Sequence, residues 1–292
     1  MRPRRSVLYM PGSNARALAK AKTIAADALI LDLEDAVAPE AKEAARQQVA
    51  DAVRGGGYGR RELVIRINGL ETPWGEADLA AAAVAAPDAI LLPKTASGAD
   101  IERASQRLDR ANAPPSTALW AMIETPQAVL NVTDIAATCR RVGARLNCLV
   151  LGTNDLVKET RADLSADRRP ALYWLSATVT AARAYGLDVL DGVYNDFRDG
   201  AGFRRECLDG RALGFDGKTL IHPDQVAEAN AVFAPTAAEV GMARKIIAAF
   251  AEPANAGKGV VVVEGRMVEL LHAKIAERAV AIAEAIDAMV DR

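Results

Sequence analysis

The sequence has few of the residues that build disulfide frameworks and soft-metal sites. Its three cysteines, Cys139, Cys148 and Cys207, are odd in number and show no CxxC spacing. We therefore expect reduced, buried residues rather than disulfides or a metal set. Only two histidines occur, His222 and His272, which argues against a histidine-rich zinc site.

Long apolar runs and a strong net charge are absent as well. No apolar run approaches the roughly 18 residues that a membrane span needs. The basic start, MRPRRSVLYMPG, is not followed by the long apolar segment of a signal peptide. The formal net charge of −2 argues against a dedicated binder of nucleic acid or of a membrane surface, because such binders depend on a basic field. We expect a cytoplasmic globular protein with no nucleic-acid or membrane partner.

Eight short β-rich runs, bounded by turn residues, alternate with alanine-rich segments of helical periodicity. The runs are 6–10, 27–33, 63–68, 89–93, 118–123, 148–152, 187–191 and 214–221. The helical segments are 13–26, 38–54, 73–86, 98–110, 126–140, 169–185 and 200–213. Continuous apolar strands between amphipathic helices predict a parallel α/β sheet, and eight units in about 230 residues predict a (β/α)8 TIM barrel. An open doubly wound sheet is the alternative, but no GxGxxG follows the first strand.

The remaining residues, 231–292, have a different pattern. A helix is predicted after Pro235, and GVVVVEGRMVEL is typical of a β-hairpin that turns at Glu264-Gly265. An alanine-rich helix follows from LLHAKIAERAV onward. We predict a catalytic barrel over 1–230 and a helix-hairpin-helix arm over 231–292, appended to the barrel rather than forming a second core.

Polar side chains stand at the ends of the predicted strands, whose bodies are apolar. A (β/α)8 barrel places the C-terminal ends of its strands, and its active site, on one face. The polar residues at those ends are Glu34, Asp35, Arg66, Asn68, Lys94, Glu124, Asn154, Asp155, Asp191, Lys218 and His222. We therefore expect a polar rim above an apolar core.

Glu124 and Asp155 follow neighbouring strands, with no histidine or cysteine near either in the sequence. Such a pair suits Mg²⁺, which binds one or two carboxylates and completes its octahedron with waters and substrate oxygens. The guanidinium of Arg66 has the fork geometry for a substrate carboxylate. Because a dication and an arginine together stabilise an enolate beside a carbonyl, these residues predict a magnesium site for that chemistry.

Other residues at the rim have structural explanations. Glu34 and Asp35 fit helix capping or a salt bridge behind the site as well as direct catalysis. Lys94 fits a structural partner of such acids. For Asp191 we favour the first residue of a loop, and for His222, in LIHP, a hydrogen-bonded structural histidine.

A phosphate site is indicated near the N-terminus. YMPGSNARALAKAK, residues 9–22, places a Gly-Ser-Asn turn before a helix that carries Arg16, Lys20 and Lys22. A helix start with basic neighbours can bind phosphate, although an ordinary capped helix with a solvated basic face explains the same pattern.

Seven motifs together resemble one known family. They are RSVLYMPGSNARALAKA, LDLEDAV, VIRING, LLPK, MIETPQAV, GTNDL and GKTLIHPDQ. In this order they resemble the citrate-lyase β-subunit-like branch of the HpcH/HpaI aldolase family, whose members include malyl-CoA and citramalyl-CoA lyases. The resemblance covers nearly the whole chain. It implies a Mg²⁺-dependent TIM barrel that acts on CoA thioesters as a homotrimer or homohexamer.

The resemblance also implies roles for individual residues. Glu124 and Asp155 are the implied Mg²⁺ ligands, with Mn²⁺ as an alternative ion. Arg66 is expected to contact the thioester or keto-acid oxygens near the metal, and Arg16 and Lys20 the CoA phosphates.

Four further residues follow from the same resemblance. Glu34 and Asp35 are expected at the metal or just behind it, with catalytic roles. Lys94 is expected to pair with acids there and, like Tyr9 in the first motif, to belong to the substrate-binding residues.

The C-terminal arm resembles the family's arm, in which a hairpin and helix cap the site of a neighbouring subunit. Relatives carry G-x-M-[IV]-D there, with the aspartate as a mobile acid/base. Here GRMVELLH places Glu269 at that position, about one methylene longer, so the proton-transfer geometry differs. GTNDLVKE, DGVYNDF and VELLH resemble the malyl-CoA thioesterase-type subgroup.

The activity implied by the resemblance is a CoA ester lyase. It would cleave malyl-CoA, methylmalyl-CoA or citramalyl-CoA to an acyl-CoA and glyoxylate or pyruvate by retro-Claisen chemistry. A (3S)-malyl-CoA thioesterase on the same scaffold is the first alternative, with Glu269 or a metal-activated water driving hydrolysis. A pyruvate aldolase, which does not need the basic first segment, and a non-catalytic citrate-lyase-like subunit are the others.

Overall fold

The computed structural model of the protein describes residues 2–290. Its residue contacts divide the chain into two compact units. One is Arg4–Val232, and the other contains the chain from Phe233 onward. Among the described residues, no helix is both long and apolar enough to cross a membrane.

The first unit is a closed barrel of eight parallel strands in chain order. The strands are β1 (Ser6–Pro11), β2 (Ala28–Asp32), β3 (Glu62–Arg66), β4 (Ala89–Leu92), β5 (Ala118–Ile123), β6 (Leu146–Leu151), β7 (Asp188–Asp191) and β8 (Gly217–Leu220). β8 pairs with β1 and closes the barrel. The predicted (β/α)8 fold is confirmed, and each predicted run overlaps one observed strand.

Ten α-helices connect or follow these strands within the described chain. They are α1 (Ala15–Ala21), α2 (Lys42–Gly55), α3 (Gly75–Ala85), α4 (Gly98–Arg110), α5 (Pro126–Leu130), α6 (Val132–Ala137), α7 (Thr153–Thr160), α8 (Leu172–Tyr185), α9 (Gly200–Leu213) and α10 (Gln225–Phe233). Short 3₁₀ turns cover Pro39–Ala41, Thr138–Arg140 and Arg169–Ala171. The predicted helix 126–140 was too simple, because it divides at Asn131. Helices α7 and α10 were not predicted.

The barrel interior follows the two-residue period of its strands. Alternate residues point inward and form one apolar cluster: Val7, Ala28, Ile30, Val64, Ala89, Leu91, Trp120, Met122, Cys148, Val150 and Leu190, with Tyr9 packed against them. Continuing the same alternation by one step brings polar residues to the inward positions at the strand ends, namely Asp32, Arg66 and Glu124. The inward-facing positions therefore change from apolar to polar at the C-terminal ends of these strands.

The opposite end of the barrel is closed by Arg4, which is 7% exposed. Its guanidinium donates to both carboxylate oxygens of Glu62 at 2.7 Å and to Asp188 at 2.9 Å. It also lies over the ring of Trp120, 4.8 Å from the centroid. Glu62 and Asp188 begin their strands, so this ion-pair group lies at the N-terminal face of the barrel. Residues on that face of a (β/α)8 barrel contribute to stability rather than to catalysis.

The cysteines are free, as predicted. Cys148 and Cys207 are buried, whereas Cys139 is only partly buried, which corrects the expectation for that residue. Cys139 lies in a 3₁₀ turn at the outside of the barrel rather than in a strand.

The second unit has the predicted order of helix, hairpin and helix. It comprises α11 (Ala237–Ala251), a 3₁₀ turn (Pro253–Asn255), β9 (Val260–Val263), β10 (Arg266–Glu269) and α12 (Leu270–Val290). The hairpin turns at Glu264 and Gly265, which have φ values of +50° and +75°, as a two-residue turn of right-twisted strands requires. One face of the hairpin buries Val261, Val263 and Val268 against α11.

Candidate active site

Arg66 lies at the centre of the acidic residues of the rim. Its Nε and Nη2 donate to the two oxygens of Asp32, both at 2.6 Å, because Asp32 and Arg66 are register partners on β2 and β3. Its Nη1 lies 3.0 Å from Glu34 Oε2 and 3.3 Å from Asp35 Oδ2. The two guanidinium nitrogens Nε and Nη2, which we expected to bind a substrate carboxylate, thus bind Asp32 instead. Nη1 is the nitrogen that lies nearest the other acids.

Tyr9 lies beneath this arginine. Arg66 Cζ is 4.8 Å from the centroid of the Tyr9 ring, within the range of a cation–π contact. The Tyr9 hydroxyl donates to Met122 Sδ at 3.9 Å. Burial raises the pKa of Tyr9, against the charge of Arg66, so the phenol stays neutral.

Glu34 is an acid of this group whose pKa is strongly raised. Burial raises the pKa of Glu34 to about 8, opposed by the charge of Arg66 and reinforced by Glu124, Asp35 and Asp32. Asp35 differs, because its side chain is 68% exposed. The two acids predicted together at the end of strand two therefore have different environments.

Glu124 follows β5 directly and is fully buried. The next residues explain why the strand stops there: the Thr125 side chain accepts the N–H of Ala128 and Pro126 begins α5. Glu124 Oε1 accepts the main-chain N–H of Lys94 at 2.7 Å. Its Oε2 is buried and has no hydrogen-bond partner among the residues that the structure describes.

Gly152 makes room for this carboxylate. An added Cβ at Gly152 would lie 2.4 Å from Glu124 Cβ and 2.8 Å from Oε2, so only glycine fits without movement. Burial raises the pKa of Glu124, and the charge and N–H of Lys94 oppose that rise. The unpartnered oxygen is thus held in a close-fitting space where a cation would stabilise its charge.

Asp155 lies in the first turn of α7, with 28% of its side chain exposed. Lys94 Nζ lies 2.5 Å from Asp155 Oδ1 and 3.5 Å from Glu124 Oε1. Burial lowers the pKa of Lys94, but the hydrogen bond to Asp155 and the charges of both acids outweigh it and raise the pKa overall. The ammonium therefore links the two predicted metal ligands.

A cavity of about 310 Å³ opens among these residues. Its lining includes five predicted site residues: Tyr9, Asp35, Arg66, Glu124 and Asp155. It also includes residues that the sequence reasoning did not assign to the site: Asp32, Ala36, Met122, Leu151, Gly152, Thr153, Val193, Thr219 and Ile221. Asp32 was detectable, because it shares the inward alternation of Ala28 and Ile30 in its strand.

Other predicted site residues lie elsewhere. Lys94 lines a neighbouring cavity of about 260 Å³ together with Asn68 and Arg103. Arg16 and Lys20 are exposed on α1 and are not among the lining residues of either cavity.

Glu269 belongs to the second unit, at the end of β10. It is exposed, and its main-chain N–H donates to His272 Nδ1 at 3.0 Å.

The interpretation of Asp191 as a loop residue was wrong. It is the last residue of β7, fully buried, with Lys218 Nζ at 2.9 Å and the Arg168 guanidinium at 2.6 Å. Burial raises the pKa of Asp191, but the charges of Lys218 and Arg168 outweigh it and the pKa falls below its usual range. His222 is hydrogen-bonded, as interpreted: its Nδ1 accepts the N–H of Asp224 at 3.3 Å.

The donor set fits a divalent cation. Five carboxylates, those of Asp32, Glu34, Asp35, Glu124 and Asp155, surround two cations, Arg66 and Lys94. Within residues 2–290, no group of three or more His, Cys, Asp or Glu has the arrangement of a metal site. Two carboxylates are enough for Mg²⁺, and the buried, unpartnered Oε2 of Glu124 is the atom that such an ion would satisfy.

Most of the chain matches one known protein family. The model of the HpcH/HpaI aldolase/citrate lyase family matches residues 5–223. The chain belongs to this family. The resemblance drawn from the seven motifs is therefore confirmed, and the matched residues span all eight barrel strands.

Individual relatives in the HpcH/HpaI aldolase/citrate lyase family carry two kinds of name. The chain is 49% identical over 286 residues to a (3S)-malyl-CoA thioesterase of Cereibacter sphaeroides, with 98% of this chain and 96% of the relative covered. It is 37% identical over 273 residues to citrate lyase subunit beta of Escherichia coli, with 92% and 89% covered. Relatives of the chain are thus named as a hydrolase and as a lyase subunit.

A solved structure of CitE from Mycobacterium tuberculosis contains magnesium, acetoacetate and coenzyme A. It superimposes with a TM-score of 0.73 at 30% sequence identity, with 96% of this chain and 98% of that chain covered. A structural neighbour thus binds the ion that the motifs implied and coenzyme A, the carrier of the implied thioester substrate.

Proposed function

We propose that the protein is a Mg²⁺-dependent enzyme that acts on the CoA thioester of a 3-hydroxy acid, with (3S)-malyl-CoA as the leading substrate. The observation that carries this proposal is the buried, unpartnered Oε2 of Glu124, directed into a space that Gly152 keeps open. Asp155 shares a cavity with it. Glu124 and Asp155 would hold the ion, which supplies positive charge for the oxygens of the bound substrate.

Thioester hydrolysis is the reaction that we place first. The 49% identity to a (3S)-malyl-CoA thioesterase supports it. Water attacks the thioester carbon, the C–S bond breaks, and malate and the CoA thiol leave. Arg66 would hold the substrate's oxygens through Nη1, and Glu34, whose pKa is about 8, is suited to exchange a proton near neutral pH.

Carbon–carbon cleavage is the second candidate, supported by the similarity to citrate lyase subunit beta. In that reaction the 3-hydroxyl loses its proton, the C–C bond breaks and glyoxylate leaves. The enolate of acetyl-CoA remains and is then protonated. Both reactions need the same charges at the rim and differ in which bond of malyl-CoA is broken.

The two reactions are separated by their products. The purified chain is incubated with (S)-malyl-CoA and Mg²⁺, and free thiol and glyoxylate are followed in parallel. Thiol without glyoxylate establishes the thioesterase, and glyoxylate without thiol establishes the lyase. If malyl-CoA, methylmalyl-CoA and citramalyl-CoA yield no thiol, no glyoxylate and, for citramalyl-CoA, no pyruvate, the proposed function is wrong.

CoA recognition would involve α1. Arg16 and Lys20 are exposed there with no carboxylate partner among the described residues, so their charges are available to phosphates. Exchanging both for glutamate should raise KM for the thioester and leave kcat nearly unchanged. An unchanged KM would favour a pyruvate aldolase, which needs no CoA handle.

The second unit would complete the site of another subunit in a homotrimer or homohexamer. The outer face of its hairpin exposes Val260, Val262 and Met267, at 42%, 68% and 75%, and such apolar faces mark interaction sites. Glu269 stands on β10 of the same hairpin and would act there as acid or base.

A mixing experiment tests this assignment. Inactive Glu124→Gln and Glu269→Gln chains are co-expressed with different tags and purified through both. If Glu269 acts in a neighbouring barrel, mixed oligomers contain sites with both residues intact and regain activity. If it acts in its own barrel, no mixed site is complete and activity stays at the level of the single variants.

A further inference from the structure

We infer that Lys94 selects which oxygen of each carboxylate is left for the cation, so that it is a positioning residue of the metal site rather than a substrate-binding residue. This inference rests on the proposed function, since it concerns the same ion. Two independent contacts of Lys94 support it, one from the main chain and one from the side chain.

The main-chain contact fixes Glu124. Lys94 follows Pro93 at the end of β4 and has φ of +49°, a left-handed conformation that non-glycine residues seldom adopt. In this conformation its N–H donates to Glu124 Oε1 at 2.7 Å. The contact occupies Oε1 and leaves Oε2 as the free, buried oxygen. The strained backbone of Lys94 thus lies where its N–H sets the orientation of Glu124, the predicted metal ligand.

The side-chain contact fixes Asp155. Lys94 Nζ lies 2.5 Å from Asp155 Oδ1 and 3.5 Å from Glu124 Oε1. Within residues 2–290, no hydrogen bond reaches Asp155 Oδ2. One lysine just after β4 therefore engages one oxygen on each of the acids that follow β5 and β6. The two remaining oxygens, Glu124 Oε2 and Asp155 Oδ2, are the pair available to an ion.

The cavities agree with this division of roles. Glu124 and Asp155 line the cavity that holds Arg66 and Tyr9, whereas Lys94 lines the neighbouring one. The lysine thus contacts both carboxylates without lining the cavity that substrate and ion would share. Groups that orient metal ligands in this way typically change metal affinity by about 10- to 100-fold when removed.

The inference is tested by measuring the ion affinity of Lys94→Met, which does not rely on turnover. Mg²⁺ binding is measured by calorimetric titration, and Mn²⁺ binding by electron paramagnetic resonance. Lys94→Met keeps the main-chain N–H and removes the ammonium. We expect affinity for both ions to fall by about tenfold or more, and Lys94→Arg to restore part of the loss. Lys158→Met is the matched control, because it removes an exposed lysine from α7, the helix that carries Asp155.

The outcomes separate four possibilities. Weaker ion binding in Lys94→Met, with a normal thermal unfolding curve, supports the positioning role. Tighter ion binding would mean that the ammonium competes with the ion for its place. Unchanged ion binding with a raised KM would mean that Lys94 contacts substrate. Either result overturns the inference. If the parent protein binds Mg²⁺ no better than Glu124→Gln, the metal site itself is wrong and the proposed function fails with it.

Discussion

Gly152→Ala is the smallest change that should disable the site. Gly152 follows β6 and has φ of −105°, which alanine adopts without strain. Any effect must therefore come from the added methyl group. That methyl would lie 2.4 Å from Glu124 Cβ and 2.8 Å from Glu124 Oε2.

The size of the effect follows from these distances. Carbon atoms in contact normally lie about 3.5–4.0 Å apart, so Glu124 or the end of β6 must move by roughly 1 Å. Overpacking of this kind costs about 1–3 kcal/mol of folding free energy. A misplacement of about 1 Å in a catalytic group lowers the rate by on the order of 100-fold. We predict that magnesium binding and turnover fall much more than stability.

Three measurements on Gly152→Ala check this: the dissociation constant for Mg²⁺, kcat/KM with malyl-CoA, and the free energy of unfolding in urea. Gly200→Ala is the control, because a Cβ at the start of α9 meets no atom within 4 Å. It should bind Mg²⁺ and turn over substrate like the parent. Parental magnesium affinity in Gly152→Ala would refute the placement of the ion at Glu124 Oε2.

Three further changes have defined outcomes. The pKa of Glu34 is about 8 in the folded protein against an ordinary value of 4.5, so between these values the metal-free folded protein holds a proton that the unfolded chain has lost. The free energy of unfolding should therefore fall by up to roughly 4 kcal/mol as the pH rises from about 5 to 8. Urea titrations should show this decline, and an equally steep decline in Glu34→Gln would contradict it. Arg4→Met strands Glu62, which is 3% exposed, and should cost about 3–5 kcal/mol in the same titrations, with Glu62→Gln recovering part of the loss. Arg66→Lys cannot make the bidentate contact with Asp32 and should lower kcat at least about tenfold while Mg²⁺ affinity is kept; equal kcat would remove Arg66 from the chemistry.

The barrel was readable from the sequence because its signals are local and repeated. Apolar runs such as ALILD of β2 and ALWAMI of β5 are buried along nearly their whole length, so continuous hydrophobicity marks each strand. That Glu124 and Asp155 line one cavity was also predictable, since both come where apolar runs end. Helix α7 was missed because its first turn, Thr-Asn-Asp, is polar and favours a loop by composition.

Other parts of the site depend on geometry that composition does not carry. Asp32 was passed over for Glu34 and Asp35, although the pairing of β2 with β3 makes Asp32 the register partner of Arg66. The left-handed conformation of Lys94 has no sequence signal, because lysine does not favour it. The need for glycine at 152 arises from Glu124, which is distant in sequence and adjacent only once β5 and β6 pair.

The most direct test of whether the enzyme works through an ion held by Glu124 and Asp155 is its turnover of (S)-malyl-CoA. Turnover is measured in EDTA and again after excess Mg²⁺ is added back. We predict that the parent protein loses its activity in EDTA and regains it with Mg²⁺. Folded Glu124→Gln should stay inactive under both conditions. Activity that persists in EDTA, or that returns with Mg²⁺ in Glu124→Gln, would contradict the metal site at the rim of this barrel.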